Sequence, residues 1–93
     1  MITSTSDFLS HKAKEMVRAC DVRFVSNMLY VSLSDGREIG LPTDRIEWLS
    51  WLARATPGQR ANWSIEPGGY AIYWEDLDDG FEIRRVLEIQ PVV

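Results

Sequence analysis

"LYVSLSDGREIGLP", residues 29–42, decides the fold. Leu29, Val31 and Leu33 alternate with Tyr30 and Ser32, so a strand built from them has one apolar face and one polar face. Asp35-Gly36 then breaks the alternation. Asp-Gly between apolar runs is the strongest short hairpin signal, in a turn whose two central residues both take positive φ. A strand over about 37–41 pairs back, and Pro42, with no N–H to give to a ladder, stops it.

Working outward, Val22 and Phe24 repeat the period of two before a turn at Ser26-Asn27, which makes a first hairpin with Leu29, Val31 and Leu33. Earlier still, Ser6 can cap a helix over 7–19, with Leu9, Ala13, Met16, Val17 and Cys20 at helical spacing. On the other side, Thr43 is expected to cap a helix through "TDRIEWLSWLARA", residues 43–55, with Asp44 and Glu47 in its first turns. Ile46, Leu49, Leu52 and Ala53 form its apolar stripe, widened by Trp48, Trp51 and Ala55. Thr56-Pro57 then starts a short helical turn through Gln59, Arg60 and Ala61, since proline suits the first helical position. Trp63–Ile65 and Tyr70–Trp74 read as strands separated by Pro67-Gly68-Gly69. Residues 81–83 extend briefly, and "IRRVLEI", residues 83–89, fits a helical turn or a strand equally well.

The order of elements predicts an α+β fold: a mainly antiparallel sheet with a hairpin-rich N-terminal half and helices packed on one face. Residues 1–16 read as an N-terminal extension, partly helical, and 17–93 as a single domain. The chain has 93 residues, 45% of them hydrophobic, with four tryptophans, enough for one core without disulfides. Its net charge of −4 opposes the phosphate-neutralising surface of a nucleic-acid binder. A nucleic-acid accessory role would need a basic stripe from Arg45, Arg54, Arg60, Arg84 and Arg85. The single cysteine, Cys20, excludes an intramolecular disulfide and suits a reducing, cytoplasmic setting. Charged residues interrupt the N-terminus where a signal peptide would be apolar, and no stretch reaches a membrane span, so a soluble protein is expected.

Reactive groups concentrate only in "YAIYWEDLDDGFEI", residues 70–83. A calcium loop needs oxygens at alternate positions, glycine at the sixth and an acid at the twelfth. Counting from Asp76 places Leu87 at the twelfth position, and counting from Glu75 places Leu77 at the third and Val86 at the twelfth, so both registers fail. Glu75 and Asp76 cannot converge on one substrate if both are extended. Asp79-Gly80 is therefore expected to make a turn whose neighbours are solvated. His11 has no local partner for a triad or a metal pair, Cys20 reads as a small buried thiol, and Gly68-Gly69 reads as a turn. No catalytic, cofactor-binding or metal-binding residue is assigned.

The aromatic residues carry the functional expectation. Trp48, Trp51, Trp63, Tyr70, Tyr73 and Trp74 exceed what a core this small can centre, and alternation places Tyr73 and Trp74 on opposite faces; the expected contact surface is Trp48, Trp51, Trp63, Tyr73 and Trp74. Exposed tryptophan and tyrosine are favoured anchors at protein contacts.

"LYVSLSDGREIGLP", then "WLARATPGQRANW", then "GGYAIYWEDLDDGFEI" occur in an order that resembles the domain of unknown function 2442 family, over about Val17 to Ile89. Gly80 stands where that family often has an acidic or polar residue, and "FEIRRVLEI" matches its ending loosely. The resemblance implies an α+β fold and a brief last helix, and supplies no activity, cofactor or catalytic residue. Some members resemble N-terminal domains joined to helix-turn-helix domains and others stand alone. A chain ending at Val93 leads to the expectation that no DNA-reading domain follows.

Together these readings predict a non-enzymatic protein-interaction or regulatory module, with no cofactor, that self-associates or binds a protein partner through the aromatic residues or the N-terminal helix. The alternative is a small-molecule or metal binder using the acidic turn Glu75–Asp79.

Overall fold

The computed structural model describes residues 17–88. Two three-stranded antiparallel sheets form, where the sequence leads one to expect a single sheet. The first contains β1 (Ala19–Val25), β2 (Met28–Leu33) and β3 (Glu38–Pro42). The second contains β4 (Trp63–Ile65), β5 (Ala71–Trp74) and β6 (Asp79–Glu82). Between them lie a 3₁₀ turn at Glu47–Leu49, α1 (Ser50–Ala53) and α2 (Pro57–Ala61), and α3 (Ile83–Leu87) closes the described chain. The ambiguous 83–89 segment is thus helical through Leu87.

The alternation in 29–42 does what it predicts. Leu29, Val31 and Leu33 are buried, and in register Val31 pairs with Val22 and Ile39, and Leu29 with Phe24 and Leu41. The turn differs in type. The Gly36 N–H donates to the Leu33 carbonyl and the Leu33 N–H to the Arg37 carbonyl, and only Gly36 takes a positive φ, +94°. That is a three-residue loop with glycine at the left-handed position, so Asp35 stays on the ordinary side. Pro42 is the last paired residue, opposite Met28, at the outer edge where a missing N–H costs nothing.

The expected helix over 7–19 lies mostly outside the described residues, but its end is corrected: Ala19 opens β1. The register shifts between Ala19 and Asp21, leaving Cys20 as the extra residue of a bulge. Cys20 is therefore exposed rather than buried.

The 43–55 helix is also broken. Thr43 is 1% exposed, and both its hydroxyl and its N–H donate to the Asn27 carbonyl, so it locks onto the first hairpin instead of capping a helix. Ile46 is extended (φ −101°, ψ 114°), and helical backbone starts only at Glu47. Leu49 and Leu52 still reach full burial. Thr56 behaves as expected: its hydroxyl accepts from the Gln59 N–H while the Gln59 side chain accepts from the Thr56 N–H.

Buried residues of both sheets, α1 and α3 belong to one hydrophobic cluster. Trp74 is its hub. Fully buried, it meets Phe24 at 6.3 Å, Trp51 at 5.7 Å and Phe81 at 5.7 Å between ring centroids, so one side chain touches both sheets and α1. Its indole N–H donates to the Arg60 carbonyl at 2.9 Å, which removes the cost of burying that group. No helix among the described residues is long and apolar enough to cross a membrane.

Candidate functional site

The acidic stretch resolves into a turn placed earlier than expected. Glu75–Leu77 form a 3₁₀ turn and Asp78 takes the left-handed conformation, φ +50°, which aspartate tolerates better than most residues. Asp79 and Gly80 lie in β6, paired with Trp74 and Tyr73. Gly80 is glycine because of proximity: a Cβ there would run into the Ile72 carbonyl oxygen and lie 3.0 Å from the Tyr73 Cα. Two of the four acids, Asp78 and Asp79, are engaged locally. The Tyr73 hydroxyl donates to Asp78 Oδ1, and that bond, with desolvation beside it, raises the tyrosine pKa above its ordinary 10.0. Asp79 Oδ1 accepts from the Gly80 N–H. Among the described residues no three His, Cys, Asp or Glu side chains are grouped to hold a metal ion.

The aromatic candidates separate. Trp74, expected at a contact surface, is 0% exposed and serves the core instead. Trp51 is half-buried, its ring against Trp74 and its N–H donated to the Trp48 carbonyl at 2.8 Å. Trp48 stacks edge-on against Phe81, with the Arg85 guanidinium 4.3 Å over its ring. Tyr73 is half-buried on the other face of β5, tied to Asp78. Trp63, directly across the ladder from Trp74, sits on the edge strand and stays half-exposed.

Trp63 lines a cleft of about 490 Å³ with Phe24, Pro57, Arg23 and Arg60. Chain order does not bring these together, since β1, α2 and β4 each contribute. Arg60 is the organiser. Its Nε donates to the Leu52 carbonyl (3.1 Å) and its Nη2 to the Ala53 carbonyl (3.0 Å), satisfying the end of α1. Its Nη1 donates to the Ser26 carbonyl (3.0 Å), and its plane lies 5.4 Å from the Phe24 ring centroid. One side chain thus fastens the first hairpin to the helices and leaves a cationic wall beside Phe24. Arg23 forms the other flank, its charge balanced in a two-pronged bond to Glu38 (3.1 and 3.0 Å) and its guanidinium 4.3 Å over Tyr30. Of this set the sequence singles out only Trp63 as a contact residue. Phe24 and Pro57 carry no local signal, because their meeting depends on how the two sheets are set.

Two short antiparallel sheets around a buried tryptophan, with small helices between and after them, define this as a small α+β domain. The chain belongs to the family described as protein of unknown function (DUF2442), whose model matches residues 19–89. It is similar to a crystal structure of a protein of unknown function from Rhodospirillum rubrum, with 25% identity and a TM-score of 0.64 over 76% of this chain and 84% of that one. It also shares its fold with the solution structure of an uncharacterised protein from Chromobacterium violaceum, with 23% identity and a TM-score of 0.67 over 90% of this chain and 76% of that one. No curated protein matches the chain.

Proposed function

We propose that this chain is a non-enzymatic interaction module that grips a segment of a partner protein in the cleft between Phe24, Pro57 and Trp63. The carrying observation is that cleft's composition: a half-exposed tryptophan and phenylalanine with a proline, flanked by Arg23 and Arg60. Large rings with few rotatable bonds give contact area at low entropic cost, and tryptophan and arginine are enriched at binding hot spots. The Arg60 guanidinium, whose partners are neutral carbonyl oxygens, favours a segment that pairs an apolar anchor with an acidic residue, on a chain whose overall charge is otherwise negative.

Amide spectra of the full chain, titrated with short acidic-aromatic and acidic-aliphatic peptides, test this. Shifts confined to Phe24, Ala61 and Trp63, and abolished in Trp63→Ala, are the expected result. Concentration-dependent shifts at the same residues without peptide would make the occupant a second copy, and no response at these residues to any peptide or to concentration sinks the reading. The thermal midpoint of Trp63→Ala separates lost contact from lost folding.

A further inference from the structure

β3 ends the order β1-β2-β3, so its far side has no strand neighbour among the described residues. Two bonds fix which groups face that side: the Leu33 N–H donates to the Arg37 carbonyl at 2.8 Å, and the Thr43 N–H to the Asn27 carbonyl at 2.9 Å. Antiparallel pairs alternate between bonded and unbonded, so between these limits Ile39 and Leu41 bond to β2, while Glu38, Gly40 and Pro42 turn their main chains outward. Pro42 has no N–H, and its carbonyl already accepts from the Arg45 and Ile46 N–H groups. Glu38 and Gly40, both exposed, each keep one outward donor and one outward acceptor that no other described residue meets.

Edge strands are ordinarily shielded by charged side chains, bulges or a covering loop. Over these two residues the shields are missing. Glu38 carries a charge, but its carboxylate folds back across its own sheet to Arg23, at 3.0 and 3.1 Å. Gly40 has no side chain, and its neighbours on the outer face are the Tyr30 ring edge and the Met28 methyl. Ile39, on the opposite face, is only half-buried against the core.

The edge is complementary to itself. When two copies of β3 run antiparallel with Ile39 opposite Ile39, Glu38 of each faces Gly40 of the other. Every outward N–H of the two residues then meets an outward C=O, giving four main-chain bonds with none left over. Pro42 falls opposite Gly36, whose N–H is already given to the Leu33 carbonyl, so the ladder stops there at both ends. Each acid faces a glycine rather than a second acid, which avoids like charges directly across the ladder, and the two half-buried isoleucines meet.

We infer that β3 is a homodimerisation edge: two copies join antiparallel about a two-fold axis at Ile39, and their three-stranded sheets merge into one of six strands. So short a ladder makes a small contact of the transient class. It lies on the opposite edge of the sheet from β1 and the Phe24 cleft, and does not rest on the function proposed for that cleft.

Amide spectra of the full chain from about 10 µM to about 1 mM test it, a range suited to weak association. Glu38, Ile39 and Gly40 shift with concentration while Phe24 and Trp63 stay in place, and exchange at the Glu38 and Gly40 amides slows at least about fivefold toward the upper end. In a mixture of isotope-labelled and unlabelled chain, the Ile39 Hα of one copy gives a nuclear Overhauser contact to the Ile39 Hα of the other, because unbonded antiparallel pairs lie closest. Glu38→Pro removes an outward donor without touching the β2 ladder and loses the concentration dependence, whereas Glu38→Gln keeps that N–H and retains it. Thermal midpoints show whether each variant folds, and where Glu38→Pro does not, the contact in the mixture decides. Exchange that is fast at every concentration, which would leave the edge to solvent or a foreign strand, protection unchanged on dilution, or a mixture without the Ile39 contact would each overturn the inference.

Discussion

The two sheets have the same strand count and the same antiparallel ladder, but different things hold them. In the first, strands of five to seven residues carry their own instructions: apolar alternation on one face, two short hairpin loops, and an outer face joined by the Arg23–Glu38 pair and the Arg23–Tyr30 stack. In the second, strands of three or four residues are shorter than stand-alone pairing supports, and they persist because Trp74 ties them to Phe24 and Trp51. A sheet written locally and a sheet held by one distant side chain differ in where they are vulnerable.

The largest expected effect is at the hub. Trp74→Ala removes the ring shared by both sheets and leaves the Arg60 carbonyl without its indole donor, at a cost of about 3–5 kcal/mol. Urea unfolding checks this, and hydrogen exchange shows the second sheet opening before the first. If both sheets lose protection together, the asymmetry is wrong.

Two glycines sharpen the contrast. At Gly80 an added Cβ meets backbone, the Ile72 carbonyl and the Tyr73 Cα, which cannot swing aside, so Gly80→Ala costs about 1–3 kcal/mol. At Gly40 it meets the Tyr30 ring edge at 2.8 Å and the Met28 methyl at 3.1 Å, both ends of side chains on the outer face. Gly40→Ala therefore stays within about 0.5 kcal/mol. Thermal midpoints of the two variants decide it, and equal losses would remove the distinction between movable and fixed neighbours.

A smaller loss, about 1 kcal/mol, is expected for Thr56→Ala, which deletes one half of the reciprocal cap on α2. Chemical denaturation reads it, and Thr56→Ser restores the parent value.

The smallest effects are electrostatic. The Arg37 backbone N–H holds the Asp35 carboxyl below its ordinary 3.8, and the Arg23 guanidinium holds Glu38 below 4.5. A depressed folded-state pKa adds stability that is present above the unfolded value and lost as pH falls through the folded one. The thermal midpoint is therefore expected to drop slightly below pH 4.5, with a shallower slope in Arg23→Gln. At the other extreme, the raised Tyr73 pKa gives stability present below pH 10.0 and lost as the phenol ionises. Asp35 and Glu38 are solvent-exposed, so added salt reduces the acid-side slope.

Legibility followed the same division. Val22, Leu29, Val31, Leu33 and the Asp35-Gly36 loop were readable because strand alternation and turn chemistry act over a few residues. Thr56-Pro57 was readable for the same reason. Thr43 was not, because its partner is the Asn27 carbonyl in a distant turn, and that bond outweighs its preference for a helix N-terminus. Gly80 misled, since glycine signals a turn in sequence but here permits close approach of a neighbouring backbone. In the candidate site only Trp63 could be named in advance.

Local chemistry along the chain determined the hairpins, the capped turn, the α+β character and the family. Tertiary structure alone decided that there are two sheets, that Trp74 lies inside while its ladder partner Trp63 lies at an edge, and that Arg60 sets Phe24 beside Pro57 and Trp63. Pattern reports which faces are apolar, but which apolar face meets which depends on contacts between residues far apart in sequence, and no short window contains both partners.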